Sequence, residues 1–340
     1  MLHSSLFAET VQLAIDDRLL ILNSAADAFV PLAAQRIPGG ELVLAEDNLA
    51  ALHNAQKALR GDRHQSTHVR HIPFHEYTLH EASATINIAL MNILYQPANA
   101  WIQYGLQLAA YALKPGGRLY VQGAKDRGIL SLAKHMQTLF GNVETLEISK
   151  GERVVCSTVS STTQGAMTDA KEDAINRVPT LFAGGKLDEG TCLLLEALEV
   201  RVTDVALDLG CGAGYIGAYI ARHATKGQVT MVDASLAAVD AARHMIEENG
   251  LTNAQVLPGD GAQDLLEQRF DLVVTNPPFH VGGIQTTEIA ERFIREAAKV
   301  LRPRGRFYLV ANRFLKYEPI MRECFKVVEE VAGNTRFKVL

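Results

Sequence analysis

The chain has 340 residues, is 48% hydrophobic and carries a formal net charge of −5, the balance of a globular protein long enough for two domains. No apolar run reaches membrane-spanning length and the N-terminal stretch lacks secretion-signal regions, so a cytoplasmic, membrane-free protein is expected. The four cysteines (Cys156, Cys192, Cys211, Cys324) are scattered with no CxxC pair, which argues against a zinc site or a disulfide framework and leads to the expectation of no metal.

The first landmark along the chain is LNSAADAF, from Leu22, because it returns later. The stretch from Leu22 matches LGCGAGYI, from Leu209, over about 35 residues without a gap, and Glu46 falls on Asp233. A basic cluster, RGDRHQSTHVRHIPFH, follows from Arg60 to His75. LKPGGRLYVQ, from Leu113, matches LRPRGRFYLV, from Leu301. The polar segment Ser157 to Asp173 has the composition of a linker. These matches predict an α/β fold made of two tandem units from an internal duplication, spanning residues 1–160 and 170–340.

The second unit alternates as a parallel α/β sheet should. Strands are predicted at Val205–Leu209, Gln228–Val232, Ala254–Leu257, Phe270–Thr275 and Arg306–Val310. Helices are predicted to about His223, through Asn249, and from about Glu288 to Val300.

LDLGCGAG (Leu207 to Gly214) is a strand running into a Gly-x-Gly-x-Gly turn. Glycines permit positive φ and close ligand approach, and the next helix offers unpaired N–H groups. Tyr215 occupies the place where a nicotinamide dinucleotide fingerprint wants its last glycine. Asp233 follows about 20 residues on, at the spacing of an acid that binds ribose hydroxyls; the plainer alternative is a helix N-cap in VDAS. Asp260, in PGDGAQD, is a candidate for the adenine amino group, or a turn-forming Asp before Gly.

The segment VVTNPPFH ends the fourth predicted strand with Asn276, Pro277, Pro278 and Phe279. In an open α/β sheet ligands bind beyond the carboxyl ends of the strands, so Gly210, Asp233, Asp260 and Asn276 should converge on one crevice. The Asn276 amide oxygen and the Pro277 carbonyl together suit an exocyclic amine, which has two hydrogens to donate. Phe279 offers a face on which a planar base can stack.

These motifs together resemble the class I S-adenosylmethionine-dependent methyltransferases that act on nitrogen. More narrowly, the half from about Phe182 is similar to the bacterial ribosomal RNA guanine-N2 methyltransferases of the small- and large-subunit type, as are LFAGGKLDEGTCLLLEAL (Leu181 to Leu198), the segment after TNPPFH and the terminal NTRFKVL. The resemblance implies two Rossmann-like methyltransferase domains, the first degenerate. It implies S-adenosyl-L-methionine as cofactor, with Asp208, Gly210, Cys211, Gly212 and Gly214 at its methionine end, Asp233 at the ribose and Asp260 at the adenine. Asn276 to Phe279 would hold a flipped guanine, and Asp188 and Thr191 join as candidates to approach the cofactor. In the first half Asn23, Ala25 and Asp27 replace the three glycines, and Ile88 to Met91 (IALM) stand near the place of NPPF.

The implied partner is ribosomal RNA or a ribosomal subunit, the small-subunit RNA ahead of the large, for a monomeric enzyme. The rivals are an N-methyltransferase acting on adenine or protein glutamine, and a non-catalytic ribosome-binding factor. Net charge −5 places RNA contacts in local patches. The Arg60–His75 cluster is one candidate. The other is the stretch from Arg292 to Leu340, where twelve Lys/Arg face five Glu.

Overall fold

The computed structural model describes residues 5–60, 67–160, 187–278, 280–281, 284–285 and 287–340. The chain divides into two compact units, Met1–Pro179 and Thr180–Leu340.

In the first unit the strands are β1 (Arg18–Leu22), β2 (Glu41–Glu46), β3 (His68–Pro73), β4 (Ile86–Asn92), β5 (Leu113–Ala124), β6 (Glu144–Ser149) and β7 (Glu152–Thr158). They form one seven-stranded sheet in the order β3-β2-β1-β4-β5-β7-β6. Its first five members run parallel, and β7 and β6 are antiparallel. The central strands read as near-continuous apolar runs, because helices cover both faces of a parallel sheet. Thus Leu19, Leu20, Ile21 and Leu22 of β1 are all buried.

In the second unit the strands are β8 (Val205–Leu209), β9 (Gln228–Asp233), β10 (Ala254–Pro258), β11 (Phe270–Thr275), the short pair β12 (His280–Val281) and β13 (Ile284–Gln285), β14 (Leu301–Asn312), β15 (Ala332–Gly333) and β16 (Phe337–Val339). The main sheet runs β10-β9-β8-β11-β14-β16-β15, again seven strands, parallel through β14 and antiparallel beyond. Position by position, this is the order and direction pattern of the first sheet. The strand order reverses at β8, leaving a crevice at its carboxyl end.

The five predicted strands and three predicted helices of this half are present. The helix Glu288–Val300 shows why it was legible. Ala290, Phe293, Ile294, Ala297 and Val300 are buried, one apolar stripe at helical spacing. The strand predicted at Arg306–Val310 is the middle of β14, which starts at Leu301 because its ladder with β11 resumes across a register shift. The polar linker begins later than composition suggested. Ser157 and Thr158 close β7, Ser157 is fully buried, and its hydroxyl donates to the Asn142 carbonyl at 2.7 Å.

Candidate functional site

Four strand ends of the second unit are tied into one row. The N–H groups of Gly210 and Cys211 both donate to the Val232 carbonyl, at 2.8 and 3.0 Å, fastening the glycine turn to β9. The Gly259 N–H donates to the Asp233 carbonyl at 2.9 Å, fastening the end of β10. The buried Thr275 hydroxyl donates to the Leu209 carbonyl at 2.7 Å, so Asn276 leaves β11 beside Gly210. The sequence candidates Gly210, Asp233, Asp260 and Asn276 therefore share one carboxyl edge.

Gly210, Gly212 and Gly214 all take positive φ, at 70°, 53° and 83°. A Cβ on Gly214 would sit 3.0 Å from that of Ala242, so conformation and space both require glycine there. Beneath the turn lies Asp208, fully buried. Its Oδ2 accepts the Gly217 N–H at 2.8 Å, while Oδ1 is buried without a hydrogen-bond partner. Burial pushes this carboxyl up to about 7, the Gly217 bond opposes, and the charge of Asp233 adds to the rise. Burial likewise pushes the Cys211 thiol well above its usual range, leaving a neutral, apolar filler inside the turn.

The Asp233 carboxylate accepts the Gly212 N–H and the Ser235 N–H, each at 2.8 Å. It braces the glycine turn. It is not the cap of the next helix, as the plainer reading allowed: Ser235 is that cap, its hydroxyl oxygen accepting the Ala238 N–H at 3.2 Å. Asp260 is held by Arg292, whose guanidinium binds both its carboxylate and its backbone carbonyl. Arg292 in turn contacts Glu296, which accepts the Ala262 N–H at 2.7 Å. Gly261 leaves room for this, since a Cβ there would lie 2.2 Å from Glu296 Oε2. The sequence reading counted Arg292 only as a cation of the basic stretch, and missed its bond to Asp260 because its only local signal is an ordinary i,i+4 pair with Glu296.

Asn276 is half-buried, and its amide nitrogen is committed. Nδ2 donates to Thr191 Oγ1 at 2.9 Å and to Asp188 Oδ2 at 3.2 Å. Thr191 and Asp188 are themselves joined, the threonine hydroxyl donating to Asp188 Oδ2 at 2.7 Å. Asp188 also caps the helix Glu189–Ala197 through the Thr191 N–H at 2.9 Å. These contacts fix which way the amide faces, with Oδ1 directed away from the pair. Pro277 and Pro278 follow directly; Phe279 lies outside the described residues, as do Leu181 to Lys186 of the segment before the helix.

The first unit reproduces this framework with other side chains. Asn23 keeps positive φ, 44°, opposite Gly210, and its N–H donates to the Ala45 carbonyl at 2.7 Å. Glu46 accepts the Ala25 and Asn48 N–H groups, at 2.8 and 2.9 Å, as Asp233 accepts those of Gly212 and Ser235. Burial pushes Glu46 up to about 7. Ladder register then locates the counterpart of Asn276. Ile21 and Asp208 occupy matching places, and pair with Leu90 and Val274 respectively. Two residues beyond stand Asn92 and Asn276. The expectation for Ile88 to Met91 is thereby corrected: they are interior to β4, and Asn92-Ile93-Leu94-Tyr95 holds the place of NPPF. Between Asn23 and Asn92 the first half is three residues longer than the second between Gly210 and Asn276, which carries the counterpart past Ile88 to Met91.

The carboxyl edge of this first sheet is filled by its own side chains. Gln96 donates through Nε2 to the Asn23 carbonyl at 2.9 Å and accepts from Asn23 Nδ2 at 3.3 Å. Asn92 Nδ2 donates to Asp27 Oδ2 at 2.8 Å. Asn23, Asp27, Asn92 and Gln96 are all buried.

Part of each basic cluster is held in ion pairs among the described residues. Arg70 is locked between Glu41 and Glu81, and residues 61–66 lie outside the described residues. Of the twelve cations after Glu291, seven are ion-paired: Arg292, Arg295, Arg302, Arg306, Arg313, Arg336 and Lys338. The exposed Lys299, Arg304, Lys316, Arg322 and Lys326 make no ion pair among the described residues. No helix among the described residues is long and apolar enough to cross a membrane.

Comparison with known proteins agrees with this geometry. The profile of the family described as Methyltransferase small domain matches residues 172–340. A protein of Pseudomonas entomophila named ribosomal RNA small subunit methyltransferase C is 32% identical over 268 residues, covering 74% of this chain and 78% of its own length. A protein of the same name from Pseudoalteromonas atlantica is 34% identical, covering 73% and 75%. Among solved structures, a T. thermophilus 16S rRNA N2 methyltransferase in complex with AdoMet and guanosine superposes with a TM-score of 0.78 at 30% identity, covering 98% of this chain and 89% of that one. With about a third of the aligned residues identical to such relatives across most of both chains, the protein belongs to the ribosomal RNA small subunit methyltransferase C family.

Proposed function

We propose that this chain transfers the methyl group of S-adenosyl-L-methionine to the exocyclic N2 amine of a guanine in 16S ribosomal RNA, using the second unit. The observation that carries the reading is the oriented Asn276 amide at the carboxyl edge, beside a glycine turn and two acids. The solved relative with AdoMet and guanosine supports it at 30% identity.

The residues present suit the cofactor. The positive-φ glycines open the backbone, Asp233 suits ribose hydroxyls, and Asp260 the adenine amine. The unpartnered Oδ1 of Asp208 is an anionic acceptor beneath the turn, suited to the methionine ammonium. When bound, the cofactor supplies an electrophilic methyl on a sulfonium centre. The chain's own work is then largely positioning. Asn276 Oδ1 and the Pro277 carbonyl accept hydrogen bonds from the two amine hydrogens and stabilise the nitrogen as it becomes positive, and one of its protons then leaves to water. Duplex pairing hides that amine, so the target guanine must be single-stranded or flipped.

In this reading the two units descend from one duplicated ancestor, and the first lost the cofactor when Asn23, Ala25 and Asp27 replaced the glycines. It then serves to position RNA, with the ribosomal RNA or small subunit as partner. The test is mass mapping of methylated guanines in 16S rRNA from a deletion strain, with and without complementation. One N2-methylguanine should vanish and return; an unchanged map would reject the assignment.

A further inference from the structure

The two asparagines at matching places treat their amide oxygens oppositely. In the first unit, Asn92 is the N-cap of a single 3₁₀ turn, Ile93–Tyr95, and its Oδ1 accepts the Leu94 N–H at 3.0 Å. This is the usual fate of such an oxygen: an Asn side chain readily bonds the backbone N–H two residues on. In the second unit the residue two beyond Asn276 is Pro278, which has no N–H to give. Meanwhile Nδ2 is held from the other side by Thr191 and Asp188.

We propose that Pro278 acts as a positioning residue by withholding a backbone donor, so that Asn276 Oδ1 stays available to the substrate amine, while Asp188 and Thr191 prevent the amide from turning over. The inference rests on the guanine-N2 reading above, and deepens it. It explains both ends of one amide. A freely rotating carboxamide would present NH2 to the amine half the time, donor against donor. A carboxamide whose oxygen is already bonded to the chain has one lone pair taken and its direction set by the backbone, so gripping the substrate in another direction weakens that bond, at a cost of about 1 kcal/mol. The first unit displays the captured alternative within the same fold. Gly190 belongs to the device as well. A Cβ there would stand 3.0 Å from Asp188 Oδ1 and 3.2 Å from the Phe337 ring, so glycine lets the Asp188 carboxylate close over the helix start toward Asn276.

The test separates the missing N–H from the rigid ring. Pro278→Ala restores the donor, and an enzyme carrying N-methylalanine at position 278 has neither N–H nor ring yet keeps the Pro277 carbonyl an amide. Single-turnover methyl transfer to 16S rRNA is measured for both, with calorimetric binding of S-adenosylmethionine alongside. Pro278→Ala should lower the transfer rate about tenfold with cofactor affinity unchanged, and the N-methylalanine enzyme should regain most of the loss. Thr191→Val should lose rate and Thr191→Ser should restore it. An N-methylalanine enzyme no better than Pro278→Ala, or Pro278→Ala with wild-type rate, overturns the proposal. A crystal structure of Pro278→Ala gives an arm independent of activity: the backbone N–H restored at position 278 should lie on Asn276 Oδ1, and its absence there also overturns it. If the wild-type enzyme methylates no guanine, the functional reading fails first, and the crystal structure still decides the fate of the amide.

Discussion

Asp208 sets the pH dependence expected of cofactor binding. Its carboxyl titrates near 7 in the folded chain, against an ordinary 3.8, because burial disfavours the charge. The folded chain thus holds this proton more tightly than the unfolded one. Below pH 4 the group costs nothing; the cost grows as pH rises through the window from about 4 to 7 and is then constant, on the order of 4 kcal/mol for roughly three units. A cationic ammonium beside Oδ1 repays part of that cost by drawing the pKa down. Binding below pH 7 must therefore expel a proton, and affinity for S-adenosylmethionine should climb about 30-fold between pH 5.5 and 8, flattening above 7. Calorimetry in two buffers of different ionisation enthalpy should report close to one proton released at pH 6. Asp208→Asn keeps the shape and an acceptor for the Gly217 N–H, yet cannot ionise. It should bind about 10- to 100-fold more weakly at pH 8, the loss of one charge-assisted bond, with no pH dependence. A wild-type affinity flat across this range, matched by Asp208→Asn, would refute the role given to Asp208.

Asn276→Ala should lower methyl transfer about 10²-fold while cofactor affinity moves less than about twofold, read by single-turnover kinetics and calorimetry; near-normal turnover would remove Asn276 from the mechanism. Arg306→Ala should cost about 3–5 kcal/mol in urea unfolding followed by circular dichroism, since it strands the buried Asp204 carboxylate, whereas Lys316→Ala should cost almost nothing. Cofactor titration of the full chain should give one site, and Asp27→Gly should not create a second, because Gln96, Asn23 and Asn92 still occupy that edge; two equivalent sites would contradict the filled first unit.

Much of the second unit was legible because its signals are local. Apolar β-runs, the glycine turn and the helical stripe of Glu288–Val300 each announce themselves within a dozen residues. The convergence of Gly210, Asp233, Asp260 and Asn276 followed from topology alone. What stayed hidden is long-range or depends on a competitor. Asp188 and Thr191 meet Asn276 across more than 80 residues, and nothing in DEGT marks that contact. Charge counting over the stretch from Arg292 did not show which cations are paired, because Asp204, Asp271 and Glu189 lie far upstream in sequence. Ser157 looked like linker because its burial depends on the Asn142 carbonyl, which composition does not reveal.

The filled edge of the first unit divides the molecule by what its stability answers to. Asn23 and Gln96, and Asn92 and Asp27, bond one another inside the chain. The second unit leaves a buried carboxylate oxygen unmatched at the corresponding edge. Whatever binds there stabilises this unit by an amount that rises with the logarithm of its concentration. If that ligand is S-adenosyl-L-methionine, as proposed above, the firmness of the second unit follows the supply of methyl donor.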